Sequence, residues 1–146
     1  MRCKPHSVFA PPRSLPLSLP FLNPNPRPRS EGAFFKAEIK FPENFPNSPP
    51  VMTFVSPMWH PNIYPDGKVC ISILHDPGVD VFNAQETADE RWRPILGVEQ
   101  ILVSVVSMLS EPNLDSPANI DAAKMLRDDP KAFRRKVRQC VERSLE

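Results

Sequence analysis

The sequence predicts an α+β domain, strands first and helices after, and three observations predict it. FFKAEIKF sets Phe35, Ala37, Ile39 and Phe41 on one face with Lys36, Glu38 and Lys40 between them, the period of two of a half-buried strand. Beyond residue 97 the apolar period lengthens to that of helices. Ahead of both lies a segment of another texture, which holds eight of the 20 prolines in its first 30 residues.

That segment comes first in the chain. In FAPPRSLPLSLPFLNPNPRPRS proline removes backbone donors and blocks both helix and central strand, so residues 1–30 are expected to be disordered or polyproline-like and to supply no strand. The prolines also break the apolar stretch that a secretory signal needs, and no P-x-x-P spacing offers an SH3 ligand. After the strand at residues 34–41, PENFPNSPP makes a proline-rich turn and VMTFVS a second β-rich run, an antiparallel hairpin-like pair. Residues 57–75 read as loop with short extended pieces. Val98, Ile101, Leu102, Val105, Met108 and Leu109 then recur at helical spacing and mark a buried helix ending before Pro112. A shorter helix is expected at about Ile120 to Arg127. Asp129 as N-cap and Pro130 at the first position open a last helix whose Phe133, Val137, Cys140 and Val141 share a stripe, with Arg134, Arg135 and Arg138 off it.

Length and composition narrow the function classes. With 146 residues, 40% of them hydrophobic, the chain has room for one domain with a real core. It lacks the run of about 18 apolar residues that a membrane span needs. Three cysteines, Cys3, Cys70 and Cys140, are a poor disulfide framework and suit a reducing compartment, cytosol or nucleus. Five of the 18 basic residues fall in the first 30 positions with no acid among them, so the remainder is acidic and carries no nucleic-acid footprint.

The chemistry centres on HPNIYPDGKVCISIL, residues 60–74, where Cys70 follows the Asp66-Gly67 turn and is therefore expected near the surface. A free thiol with a pKa of about 8.5 is only a few per cent thiolate at pH 7, yet it exchanges thioesters without a dedicated base. Amide hydrolysis would need a paired histidine, for which His60 and His75 are candidates, with no clear third group to orient either. Zinc held by His60, Cys70 and His75 would lack a fourth ligand and the usual paired spacing. Cys140, on its apolar stripe, reads as a small buried hydrophobe.

HPN, Cys70 followed by ISIL, the RW-x-P of Arg91, Trp92 and Pro94, and the EPN-x-x-SPAN of residues 111–119 stand in an order that resembles the ubiquitin-conjugating enzymes over residues 31–146. The resemblance implies the ubiquitin-conjugating (UBC) fold, an antiparallel sheet flanked by helices. Here that fold would be N-terminally incomplete, because the family's first helix and two strands fall where the proline-rich segment stands. A chain lacking them is expected to expose residues 34–41 as a sheet edge, to be poorly stable and weakly active, and to carry an alternative or wrongly predicted first exon.

The family's activity implies that Cys70 accepts ubiquitin as a thioester from the ubiquitin-activating enzyme and yields it to a lysine, with no metal or organic cofactor. Asn62 matches the asparagine that stabilises the oxyanion, and it could equally bond the loop's own backbone; His60 reads as structural. Residues 76–89 resemble the acidic insertion of the subgroup that works in endoplasmic-reticulum-associated degradation. Asp80, Glu86, Asp89 and Glu90 would position and deprotonate the incoming lysine, or else only keep a loop solvated. Many relatives carry an aspartate before the proline matching Pro117; here Ser116 stands there, with Asp115 one earlier, so that role is not carried over. A RING-type ubiquitin ligase is expected to dock on Asn47 through Pro50 and on Arg93, Pro94 and Ile95. The protein is expected to be cytoplasmic and to reach the endoplasmic reticulum through a partner. A non-catalytic member of the family, binding ubiquitin or a ligase, is the rival reading, and the presence of Cys70 opposes it.

Overall fold

The computed structural model describes residues 14–20, 34–78 and 86–146. Three strands, β1 (Ser14–Pro20), β2 (Phe34–Lys40) and β3 (Val51–Phe54), form an antiparallel sheet in the order β1-β2-β3. β2 follows its sequence pattern: Phe35, Ala37 and Ile39 are buried, while Phe34, Lys36 and Lys40 are exposed. On β3, Met52 and Phe54 are buried, and the Phe54 ring meets that of Phe35 edge to face at 6.5 Å.

β1 corrects the expectation that residues 1–30 supply no strand. It pairs with β2 along its whole length, Leu15 opposite Ile39 and Leu17 opposite Ala37. Two prolines are tolerated there because of their parity. The Val55 N–H donates to the Lys36 carbonyl, and the Lys36 N–H donates to Ser56 Oγ. Even-numbered residues of β2 therefore turn their backbone groups to β3, and odd-numbered ones turn theirs to β1. The register sets those odd residues against Leu15, Leu17 and Leu19, so Pro16 and Pro20 fall where a backbone nitrogen faces away from the ladder. β2 is consequently not an open sheet edge. The disorder expected of the remaining proline-rich residues concerns positions 1–13 and 21–30, which lie outside the described residues.

The helices follow as their periodicity predicts. α1 (Val98–Ser110) buries Ile101, Val105 and Met108, and the Gln100 side chain accepts the Gly97 N–H at 2.9 Å to close its first turn. In α2 (Ile120–Asp128) the Asn119 side chain accepts from the Ala122 N–H, and in α3 (Pro130–Ser144) Asp129 accepts from Lys131 and Ala132. The α3 stripe is half-buried, with Cys140 and Val141 packed on the core. One hydrophobic cluster joins sheet and α1, and Trp92 is fully buried within it. No helix among the described residues is long and apolar enough to cross a membrane.

Candidate functional site: a half-buried cysteine with a histidine and a buried glutamate

The segment that carries Cys70 is held by its own turn. Tyr64 and Lys68 close the turn through the Tyr64 N–H and the Lys68 carbonyl at 2.9 Å, and Asp66 Oδ1 accepts the Lys68 N–H. Gly67 sits at φ 89°, and a Cβ there would collide with the Phe54 carbonyl oxygen, so this position takes glycine. Backbone bonds from Phe54 to the Gly67 carbonyl and from Val69 to the Met52 carbonyl dock the turn on β3. The Cys70 N–H then donates to the Asn62 carbonyl at 3.0 Å, which leaves the thiol half-buried at the end of a pinned loop.

His60 and Asn62 brace the incoming limb of that loop. The buried His60 accepts the Asn62 N–H on Nδ1 at 3.0 Å. Its Nε2 makes no hydrogen bond of ordinary geometry, although the Met108 backbone pulls slightly against the burial that pushes the imidazole down to about 4. The Asn62 side chain is only 3% exposed, donates from Nδ2 to the Asn113 carbonyl and accepts the Asn113 N–H on Oδ1, both at 2.8 Å. The Asn119 N–H meanwhile donates to the Pro61 carbonyl. The EPN-x-x-SPAN stretch is thereby tied to HPN through backbone and amide groups, a contact across about 50 residues that no local pattern announces.

On the other side of the thiol, a 3₁₀ turn at Ser72–Leu74 brings His75 back over Cys70. Cys70 Sγ lies 3.6 Å from His75 Nε2, and His75 Nδ1 lies 2.8 Å from Glu86 Oε1. Glu86, its side chain 5% exposed, also accepts from Arg91 Nε at 2.9 Å. The sequence suggested no group to orient either histidine; Glu86 orients His75, because the Trp92 N–H donates to the His75 carbonyl and returns the chain beside it. The His75 bond holds the Cys70 thiol below its ordinary pKa against burial, with the Tyr64 hydroxyl adding to the effect. The bond to Cys70 and the Glu86 charge raise His75 against its own burial. Burial works against an ionised Glu86, but hydrogen bonds from Ser72 and Arg91, with the His75 charge, outweigh it and keep its carboxyl below the usual range.

The other expected site residues are dispersed. Asp80 lies outside the described residues. Glu90 spends its carboxylate on the Thr87 N–H and hydroxyl, at 2.7 and 2.8 Å. A groove of about 550 Å³ is lined by Ile71, Ile73, Leu96 and Val103 and also by Asp89, Glu90 and Arg93. Ile95 is 83% exposed, and Asn47, Arg93 and Pro94 are exposed as well. Pro50 is a correction: its ring is fully buried in the core under the loop and can offer a ligase nothing. Trp92 Nε1 donates to the Pro46 carbonyl at 2.7 Å, which joins the 42–50 loop to the one that carries Ile95. Among the described residues no group of three or more His, Cys, Asp or Glu is arranged to hold a metal.

Comparison with known proteins agrees with this geometry. The model of the family described as ubiquitin-conjugating enzyme matches residues 21–141. The chain is 60% identical over 116 residues to ubiquitin-conjugating enzyme E2 14 of Arabidopsis thaliana, covering 80% of this chain and 69% of that protein. It is 57% identical to the probable ubiquitin-conjugating enzyme E2 7 of Caenorhabditis elegans, over 80% and 70% of the two chains. With ubiquitin-conjugating enzyme E2 G2 of Homo sapiens it shares 55% identity over 79% of this chain and 69% of that one. An α+β scaffold whose residues 21–141 match the family model, with relatives 55–60% identical over about four fifths of the chain, places this chain in the ubiquitin-conjugating enzyme family.

Proposed function

We propose that Cys70 is the residue on which this ubiquitin-conjugating enzyme carries ubiquitin as a thioester, yielding it to a lysine of a substrate or of ubiquitin. The observation that carries this is placement. Both thiols are half-buried, but Cys70 ends a pinned turn with His75 Nε2 beside it, whereas Cys140 packs against the core on α3. Incubation with activating enzyme, ATP and ubiquitin is expected to give a thiol-sensitive adduct, which Cys70→Ser converts to a thiol-resistant ester. An adduct unchanged in Cys70→Ala overturns the assignment.

Asn62 would serve twice. One N–H of its amide is committed to Asn113, and the second would serve the oxyanion of aminolysis. His60, neutral and buried, would keep the loop in shape. The stretch 76–89 supports membership of the acidic-loop subgroup that works in degradation at the endoplasmic reticulum, reached through a partner from the cytoplasm. Asp80 and Asp89 would steer the incoming lysine, while Glu86 and Glu90 are occupied within the fold. The exposed Asn47, Arg93, Pro94 and Ile95 would receive a RING-type ligase, Ile95 as the apolar anchor.

A further inference from the structure

We propose that His75, oriented by Glu86, takes the Cys70 thiol proton, so that the acceptor meets its thioester substrate as a thiolate beside an imidazolium. The proposal rests on the reading of Cys70 as acceptor. It goes beyond that reading by giving the thiol a dedicated base, which thioester exchange does not strictly require.

The geometry sets the direction of proton transfer. Glu86 lies within 2.8 and 3.1 Å of Nδ1 through its two oxygens. A carboxylate there fixes the neutral ring with its proton on Nδ1, which leaves the Nε2 lone pair facing Cys70 Sγ at 3.6 Å. Arg91 Nε, 2.9 Å from Glu86 Oε2, keeps the carboxylate ionised and in place. The groups that face the thiol are therefore His75, the Tyr64 hydroxyl and, behind the ring, Glu86 with Arg91. The first two favour the thiolate, and the Glu86 charge opposes it. Thiol and imidazole shift in opposite senses, as an ion pair demands.

In the charging step the Sγ proton passes to Nε2, and the thiolate attacks the acyl carbon of ubiquitin's thioester. A new C–S bond forms while the old one breaks. The departing sulfur leaves as a thiolate and recovers the proton from His75. Each unit by which a thiol's pKa is lowered toward ambient pH gives about tenfold more thiolate and costs roughly threefold in intrinsic nucleophilicity. The net gain is about threefold per unit, and it is greatest below pH 8.

The test is alkylation of the full chain by iodoacetamide from pH 5 to 10, resolved by peptide mass for Cys70 and Cys140. It asks nothing of ubiquitin, so its failure is separate from that of the acceptor assignment. Cys70 is expected to react with a midpoint below that of a free thiol. His75→Ala should raise the midpoint and slow the reaction at pH 6.5 by about threefold or more, with Cys140 unchanged, and Glu86→Gln should act in the same sense but less. A Cys70 midpoint that is the same in His75→Ala overturns the proposal. Imidazole titration by NMR reads the reverse linkage without altering His75: Cys70→Ala should lower the His75 midpoint, and no change there also overturns it.

Discussion

His60 and His75 flank Cys70 in the chain and are driven in opposite directions. Burial holds His60 neutral, down to about 4, whereas the thiol and Glu86 raise His75. For His60 the unfolded chain binds a proton near pH 6.5 and the folded one does not, so stability falls with acid between about pH 6.5 and 4. At full extent the loss is about 3 kcal/mol. Urea unfolding at pH 7 and pH 5 should show it, and His60→Asn, whose Oδ1 can accept the Asn62 N–H, should show a visibly smaller pH dependence. An equal dependence in the two proteins would refute this account. Asn62→Ala should lose roughly 2 kcal/mol with its two bonds to Asn113 and discharge to free lysine about 10²-fold more slowly. Discharge at the wild-type rate from a folded variant would leave Asn62 a brace alone. At this scale motif order singled out Cys70 and Asn62 and left His75 without a group to orient it. Glu86 reaches it across a stretch without periodicity, and the Trp92 to His75 backbone bond helps to bring the two together.

Turns and helices differ in how openly the sequence shows them. The first helix was legible from its apolar spacing and the last from cap and spacing together, Asp129 with Pro130 opening it. The turn at Tyr64–Gly67 was legible as a turn, but its docking on Phe54 was not, since a bare glycine does not say what approaches it. Gly67→Ala should therefore cost about 1–3 kcal/mol from the positive φ, and more where Phe54 must move, read as a lower urea midpoint. Charging should fall with it, because Cys70 ends the same loop. In the acidic stretch, Asp80→Asn with Asp89→Asn should slow chain building severalfold and leave charging as it was, as followed by single-turnover gels; equal loss of both would point to a damaged site. Pro50 was misjudged because proline in a loop reads as surface, and this one closes the core instead.

Across the whole molecule, β1 is where the sequence reading and the structure part. Leu15, Leu17 and Leu19 alternate in the sequence, and the neighbouring Pro16 and Pro20 were read as breakers when their shared parity makes them admissible on an outer strand. Removing residues 1–20 should thus lower the melting temperature by several degrees, at about 2–4 °C for each kcal/mol lost in a domain of this size. An unchanged melting temperature would mean that the pairing contributes nothing. Among the described residues β1 is the last strand of the sheet, and the row of backbone groups on its outer side is of the kind on which another molecule's strand could build. Pro16 and Pro20 leave gaps in that row: an incoming strand finds two acceptors without a donor to bond. The backbone groups of Leu15, Leu17 and Leu19 hold the strand to its own sheet while the prolines make it a poor template for aggregation. Pro16→Thr with Pro20→Thr should keep the fold and bring concentration-dependent, fibre-forming self-association, visible by light scattering and thioflavin fluorescence.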